Sequence, residues 1–301
     1  MSKPVIAIIG INGNLGSPVI KQLTSPQFKD NFSLPIKAIT RDASKKLTDE
    51  LIEYIEINEL NVEKYVQALT GVDVVISLVG PRQILDTLAE ALKIAKPKLY
   101  IPSQFGTLIA DGEKVISGVV GYKDKHSQRV RDEAGVKTVD ISTSLFCVPG
   151  SFLYELVGCA GYDRDTNQIT YIGDENTKFG TSSLIDIAKV IAILVSKSNY
   201  QDIPNNVNIY SDITSQREIV DHYVGTHPDI QPVKQLPNIP LDEAIVQVKK
   251  ALANGFSMKP FMKYLQVLSA AGEGKGLAFI DNNHREYVNP GESIFTWTKY
   301  P

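Results

Sequence analysis

The chain is poor in the residues that staple or metallate small folds. Two cysteines in 301 residues, Cys147 and Cys159, exclude a disulfide framework and a cysteine-based zinc site. Each lies in an apolar stretch, as a buried thiol in a reducing compartment does. The four histidines, His126, His222, His227 and His284, have no metal-ligand spacing, so no metal is expected. No apolar run approaches the roughly 18 residues that a membrane span needs. The short apolar stretch at the start runs straight into glycines and reads as a strand, not a leader. Charge is balanced: 31 basic against 34 acidic residues give a formal −3, with both signs interspersed. That is no electrostatic footprint for nucleic acid or an acidic membrane surface. Internal repeats and low-complexity tracts are absent as well. A soluble cytoplasmic protein, with or without a nuclear share, is expected.

What is present is concentrated at the start. Val5-Ile6-Ala7-Ile8-Ile9 ends in Gly10, and Gly13 and Gly16 follow at equal intervals. The helical spacing of apolar residues then begins. A buried strand, a tight turn and a helix aimed back at the turn are expected. Gly10 serves the chain reversal, one glycine lets a phosphate approach the backbone, and one lets helix and strand pack closely. The helix N-terminus suits a pyrophosphate. Asn12, Asn14 and Leu15 complete the turn and are assigned to the cofactor with it.

Strands are expected at Ile36–Thr40, Tyr54–Ile57, Asp73–Pro81, Leu99–Ile101 and Val136–Thr143, and helices at Val62–Leu69 and Ile84–Ala95. This alternation defines an α/β doubly wound parallel sheet of Rossmann type. The carboxyl ends of its strands collect the candidate ligands. Arg41, at the end of strand two, suits a 2′-phosphate and so favours NADP(H) over NAD(H), with Lys45 (and Lys46 beside it) adding positive charge. Gly80 permits close approach of the dinucleotide, and Ser103 and Phe105 follow strand five. Residues Thr107–Gly121 read as a loop or lid. A charged helix from Tyr122 to Gly135 carries Lys123 and Lys125.

Together these motifs resemble the NmrA-like and isoflavone-reductase-like group of atypical short-chain dehydrogenases/reductases. The matching features are the G-x-x-G-x-x-G turn, Thr40-Arg41, Pro102-Ser103-Gln104-Phe105-Gly106, the lysine helix and Leu184-Ile185-Asp186-Ile187-Ala188. Gln104 departs from the glutamate of the reductase branch. The Tyr-x-x-x-Lys motif of ordinary short-chain dehydrogenases is absent, since His126 stands four residues after Tyr122. The resemblance implies a catalytic lysine on that helix. Lys125 is preferred because Arg129 completes a K-x-x-x-R pattern; Lys123 fits if the register is counted back from Val130. It also implies a nucleotide domain over 1–150, with a returning segment at about 181–200, and a smaller α+β substrate domain over 151–301. Phe146, Phe152 and Tyr154 are candidate pocket aromatics, Asp186 a structural acid at a helix start, and Asn289–Pro301 a segment closing on the substrate side. Two functions remain open. One is an NADPH-dependent reductase of a small aromatic or conjugated substrate. The other is an NADP(H)-binding redox-sensing regulator with a protein partner and little turnover. Oligomeric state is open too.

Overall fold

The computed structural model describes residues 3–44, 46–146 and 157–300. In chain order the first part contains β1 (Val5–Ile9), α1 (Gly16–Leu23), β2 (Ser33–Thr40), β3 (Ile52–Glu56), α2 (Val62–Leu69), β4 (Val74–Ser77), α3 (Arg82–Ala95), β5 (Leu99–Ile101), α4 (Ile109–Val115), α5 (Gly121–Arg129) and β6 (Lys137–Thr138). The six strands form one parallel sheet in the order β3-β2-β1-β4-β5-β6. The order reverses between β1 and β4, which opens a crevice at their carboxyl ends.

Strand periodicity explains both faces. Ile6 and Ile8 point into one core with Ile36, Val74 and Ile76. Ala7 and Ile9 point into the other with Ile39, Val75 and Tyr100. With both faces covered, the strands read as unbroken apolar runs. On the first face lies α6 (Leu184–Val195), the returning segment, whose N-cap Ser183 accepts a hydrogen bond from Ile185 N–H. Its apolar side chains are almost all buried, each stabilising by about 1.5–3 kcal/mol. A third cluster gathers the C-terminal elements, including the helices Gln216–Thr226, Leu241–Leu252 and Met258–Ala270. Ser215 caps the first of these through Glu218 N–H, as its capping-box spacing implies.

Three segments differ from the sequence expectation. The stretch Thr107–Gly121 contains α4, and Glu113 of that helix accepts hydrogen bonds from the N–H groups of Gly118 and Gly121 at 2.8 and 3.1 Å, so it docks and caps α5. Strand six breaks at Val139: Lys137–Thr138 stay in the main sheet, while Asp140–Ser142 pair in parallel with Asn206–Asn208. The tail, expected to close on the substrate side, divides: Tyr300 packs against the C-terminal cluster, while Phe295 and Trp297 do not. Both are buried in the nucleotide-side core, and Thr298 N–H donates to Asp186 at 2.8 Å. The same carboxylate oxygen accepts from the Ser211 hydroxyl at 2.7 Å, so fully buried Asp186 ties the tail to α6 as a structural acid. No helix among the described residues is long and apolar enough to cross a membrane.

Candidate active site

The three turn glycines meet three separate demands. Gly10 has φ +90°, and a β-carbon there would stand 2.5 Å from Val79 Cγ1. A β-carbon on Gly16 would stand 1.9 Å from the Ile11 carbonyl oxygen, so the start of α1 packs on the turn only with glycine. At Gly13 the nearest contact is the Gly10 carbonyl oxygen at 3.7 Å, and space is otherwise open. Asn12 Nδ2 donates to Thr40 Oγ1 at 3.1 Å and so ties the turn to the end of β2.

These residues open on a crevice of about 360 Å³ lined by Gly10, Asn12, Gly13, Arg41, Tyr65 and Gly80, among others. Arg41 is exposed on its rim and forms no ion pair among the described residues. The adjacent acid is engaged elsewhere: Asp42 accepts from the Ser44 hydroxyl at 2.6 Å and the Ser44 N–H at 2.9 Å, which hold its carboxyl below the usual range. Leu15 and Gly16 are buried at the start of α1, and Asn14 is exposed beside the turn. Ser103 is partly buried off the crevice wall, and Phe105 lines a second cavity instead. Lys45 lies outside the described residues, as do Cys147, Phe152 and Tyr154.

The second cavity, of about 160 Å³, adjoins the crevice across Gly80 and Lys123. Its apolar walls include Phe105, Ile109, Leu145, Phe146, Phe261 and Leu277. Lys123 lines it and is partly buried; Lys125 is exposed and lines neither space. The reason is the inward stripe of α5. Lys123, His126, Ser127 and Val130 lie at helical spacing and are the enclosed side, leaving Asp124, Lys125 and Gln128 outside. Burial pulls the Lys123 amine below the ordinary lysine pKa, and no other cause contributes. The neighbouring Tyr122 hydroxyl donates to the Gly80 carbonyl oxygen at 3.2 Å and fixes that turn. Arg129, which suggested the K-x-x-x-R pattern, is engaged by Asp86 and Glu90 of α3 and by Glu133. It docks α5 on α3.

Sequence reasoning missed the polar lattice behind the cavity. Gln104 Nε2 donates to Ser127 Oγ at 2.9 Å, and Ser127 Oγ donates to Asp140 Oδ1 at 2.7 Å. Arg131 pairs with the other Asp140 oxygen. Burial outweighs that arginine and leaves the Asp140 carboxyl above its ordinary value. Tyr264, also unremarked as a site residue beyond its apolar cluster, is fully buried and lines the cavity. Gln104 stands out within its motif, but Ser127, Asp140 and Tyr264 sit in no motif that distinguishes pocket from core.

A glycine turn at the switch point of a parallel sheet, with a basic residue at the end of the second strand, defines a dinucleotide-binding α/β protein of the Rossmann class. The chain belongs to the NmrA-like family, whose model matches residues 2–263. It is 27% identical over 266 residues to isoflavone reductase homolog P3 of Arabidopsis thaliana, covering 81% of this chain and 84% of the relative. Among solved structures, the binary complex of leucoanthocyanidin reductase with NADPH from Vitis vinifera has the same fold at a TM-score of 0.66 and 16% identity, over 89% of this chain and 87% of that one. An NADPH-dependent quinone oxidoreductase from Escherichia coli aligns at a TM-score of 0.61 and 17% identity, over 98% of this chain and 96% of that one.

Proposed function

We propose that the protein is an NADPH-dependent reductase of a small aromatic or conjugated substrate, with Lys123 assisting proton transfer. One observation carries the reading: the Lys123 amine, without an ion-pair partner among the described residues, stands beside Gly80, where the crevice of the glycine turn meets the apolar cavity.

The residues fit the cofactor. Gly13 leaves its surroundings open for a phosphate, the Arg41 guanidinium, without an ion pair among the described residues, suits a 2′-phosphate, and Tyr122 holds the Gly80 backbone between the two spaces. The NADPH bound to the relative from Vitis vinifera and named for the quinone oxidoreductase supports the same choice. When bound, NADPH supplies the hydride. Lys123 holds a proton at Nζ, faces the oxygen on which charge develops, and delivers that proton to it. The apolar walls keep water from that oxygen and strengthen the interaction. Lys125, outside the cavity, takes no part.

The test is NADPH oxidation across a panel of aromatic ketones, quinones and enals. Turnover that is lost in Lys123→Ala but kept in Lys125→Ala, with NADPH binding intact in both, is the expected outcome. Tight NADPH binding without turnover on any substrate would favour the second reading, an NADP(H)-binding regulator. The neutral Gln104, in the position where the reductase branch carries an acid, gives that reading its support.

A further inference from the structure

Asn-Gly occurs twice in the chain, at Asn12-Gly13 inside the glycine turn and at Asn254-Gly255 between the helices Leu241–Leu252 and Met258–Ala270. All four residues are exposed. The pair has a chemistry of its own. Glycine puts no side chain over its backbone nitrogen, so that nitrogen can reach the amide carbon of the preceding asparagine. At Asn12-Gly13 little holds the two groups apart. Space around Gly13 is open to 3.7 Å, and its N–H reaches the Gly10 carbonyl oxygen only at 3.4 Å, beyond the usual range. The Asn12 amide is tied by the 3.1 Å bond to Thr40 Oγ1. That bond depends on the amide. The Thr40 hydroxyl donates to the Asp42 carbonyl oxygen at 3.2 Å, so toward Asn12 the Thr40 oxygen can only accept. A carboxylate at position 12 has no hydrogen to give and would set oxygen against oxygen.

We propose that Asn12 is a site of spontaneous deamidation, which disables the empty cofactor turn and from which bound NADPH shields it. The Gly13 nitrogen gives up its proton and attacks Asn12 Cγ. The new N–Cγ bond forms as the Cγ–Nδ2 bond breaks, and the amide nitrogen leaves with a proton as ammonia. The succinimide ring then takes up water. Opening at Cγ leaves aspartate; opening at the backbone carbonyl leaves isoaspartate, with the main chain running through the former side chain. Water enters and ammonia leaves, with no change of oxidation state. Each product harms the turn in its own way. Aspartate sets a negative charge in the crevice beside Gly13, where a phosphate approaches. Isoaspartate lengthens the chain between Gly10 and Gly16, and the close contacts of those glycines with Val79 and Ile11 leave it no slack. A phosphate at the turn would engage the attacking Gly13 N–H and fill the space that the Asn12 side chain crosses. The inference rests on the cofactor reading of the turn and is independent of turnover.

The test is peptide mapping by mass spectrometry of the full chain, kept warm at mildly alkaline pH in heavy-oxygen water. The heavy oxygen enters only when the ring opens, so conversion during incubation is told apart from conversion during digestion. The Asn12 peptide should take up the label and split into two isomeric acids. Saturating NADPH should slow that conversion at least about tenfold, because only the free protein reacts. Asn254, which lines no part of the crevice, should convert at the same rate with and without NADPH. Gly13→Ala, whose methyl group covers the attacking nitrogen, should slow the Asn12 conversion severalfold. Both the aged cofactor-free protein and Asn12→Asp should bind NADPH at least about tenfold more weakly than the parent, the effect of a like charge at close range. Asn12 intact while Asn254 converts, equal Asn12 rates with and without bound NADPH, or parental affinity in the aged protein would each overturn the proposal. The mapping uses the unmodified chain and decides even where a variant fails to fold. NADPH binding is followed separately by cofactor fluorescence. Unprotected Asn12 with NADPH bound therefore sinks this inference, whereas absence of any NADPH binding sinks the cofactor reading on which it rests.

Discussion

Gly80 and Lys123 face each other across the boundary between the crevice and the cavity: a β-carbon on Gly80 would stand 3.8 Å from Lys123 Cε and 3.9 Å from Nζ. The amine at that point is partly buried, and burial lowers its pKa from 10.5. If the protonated amine is the acid, activity is full at pH below its lowered pKa and falls as pH rises through it. The alkaline limb of kcat/KM should thus begin below the ordinary lysine range. Residual activity in Lys123→Ala should lack that limb. A limb of the same position in the variant would remove Lys123 from the proton transfer.

Arg41 supports a prediction about cofactor choice. Its guanidinium lines the crevice, and the adjacent Asp42 is engaged by Ser44. A charged hydrogen bond to a 2′-phosphate contributes about 1.5–3 kcal/mol, so Arg41→Ala should weaken NADPH binding by roughly ten- to a hundredfold. NADH, which has no such phosphate, should lose little. Dissociation constants from cofactor fluorescence give the comparison, and equal loss for both cofactors would sink the assignment.

The glycine turn separates folding from binding. Gly16 has no room: a β-carbon would overlap the Ile11 backbone at 1.9 Å, so Gly16→Ala should destabilise the protein by several kcal/mol, about the range of severe overpacking. Gly13 has room, with 3.7 Å to its nearest neighbour. Gly13→Ala should leave the thermal midpoint within a few degrees of the parent while reducing NADPH affinity at least about tenfold, since the methyl group intrudes where a phosphate approaches. Thermal unfolding and cofactor titration on the two variants should give opposite patterns.

The features legible in the sequence were those whose signal is local. Apolar runs ending in glycine marked β1 and β4, alternation of element types marked the parallel sheet, and Ser215 with Glu218 marked a helix start. The choice between Lys123 and Lys125 was not legible, because α5 has almost no apolar residue to define a face. Its buried stripe is polar, His126 and Ser127 being enclosed through Tyr100, Gln104 and Asp140. The one usable signal was Val130, seven residues beyond Lys123. Arg129 pointed the other way because its partners, Asp86 and Glu90, lie on α3 and are remote in sequence. The break at Val139 and the docking of Phe295 and Trp297 beneath α6 likewise depend on long-range pairing with Asn206–Asn208 and Asp186. Gly10, Gly13 and Gly80 line the crevice and are legible because turn geometry constrains residue type directly, whereas a pocket wall does not distinguish Phe105 or Tyr264 from core.

The polar stripe of α5 also gives the fold a pH dependence. His126 is buried, with Nε2 2.9 Å from the Tyr100 hydroxyl, and desolvation lowers its pKa from 6.5 to about 4. Between those values the unfolded chain binds a proton that the folded one does not, so stability is complete above about pH 6.5 and declines as pH falls toward 4. The shift corresponds to about 3 kcal/mol over that window. Asp140, raised by burial, works in the opposite sense, so the two must be separated by substitution. His126→Gln keeps a polar group opposite Tyr100 and removes the titration. Urea unfolding at pH 7, 5.5 and 4.5 should show the parent losing stability more steeply than the variant. Parallel pH profiles would show that His126 is not the group responsible, and that the acid sensitivity of the helix bearing Lys123 arises elsewhere.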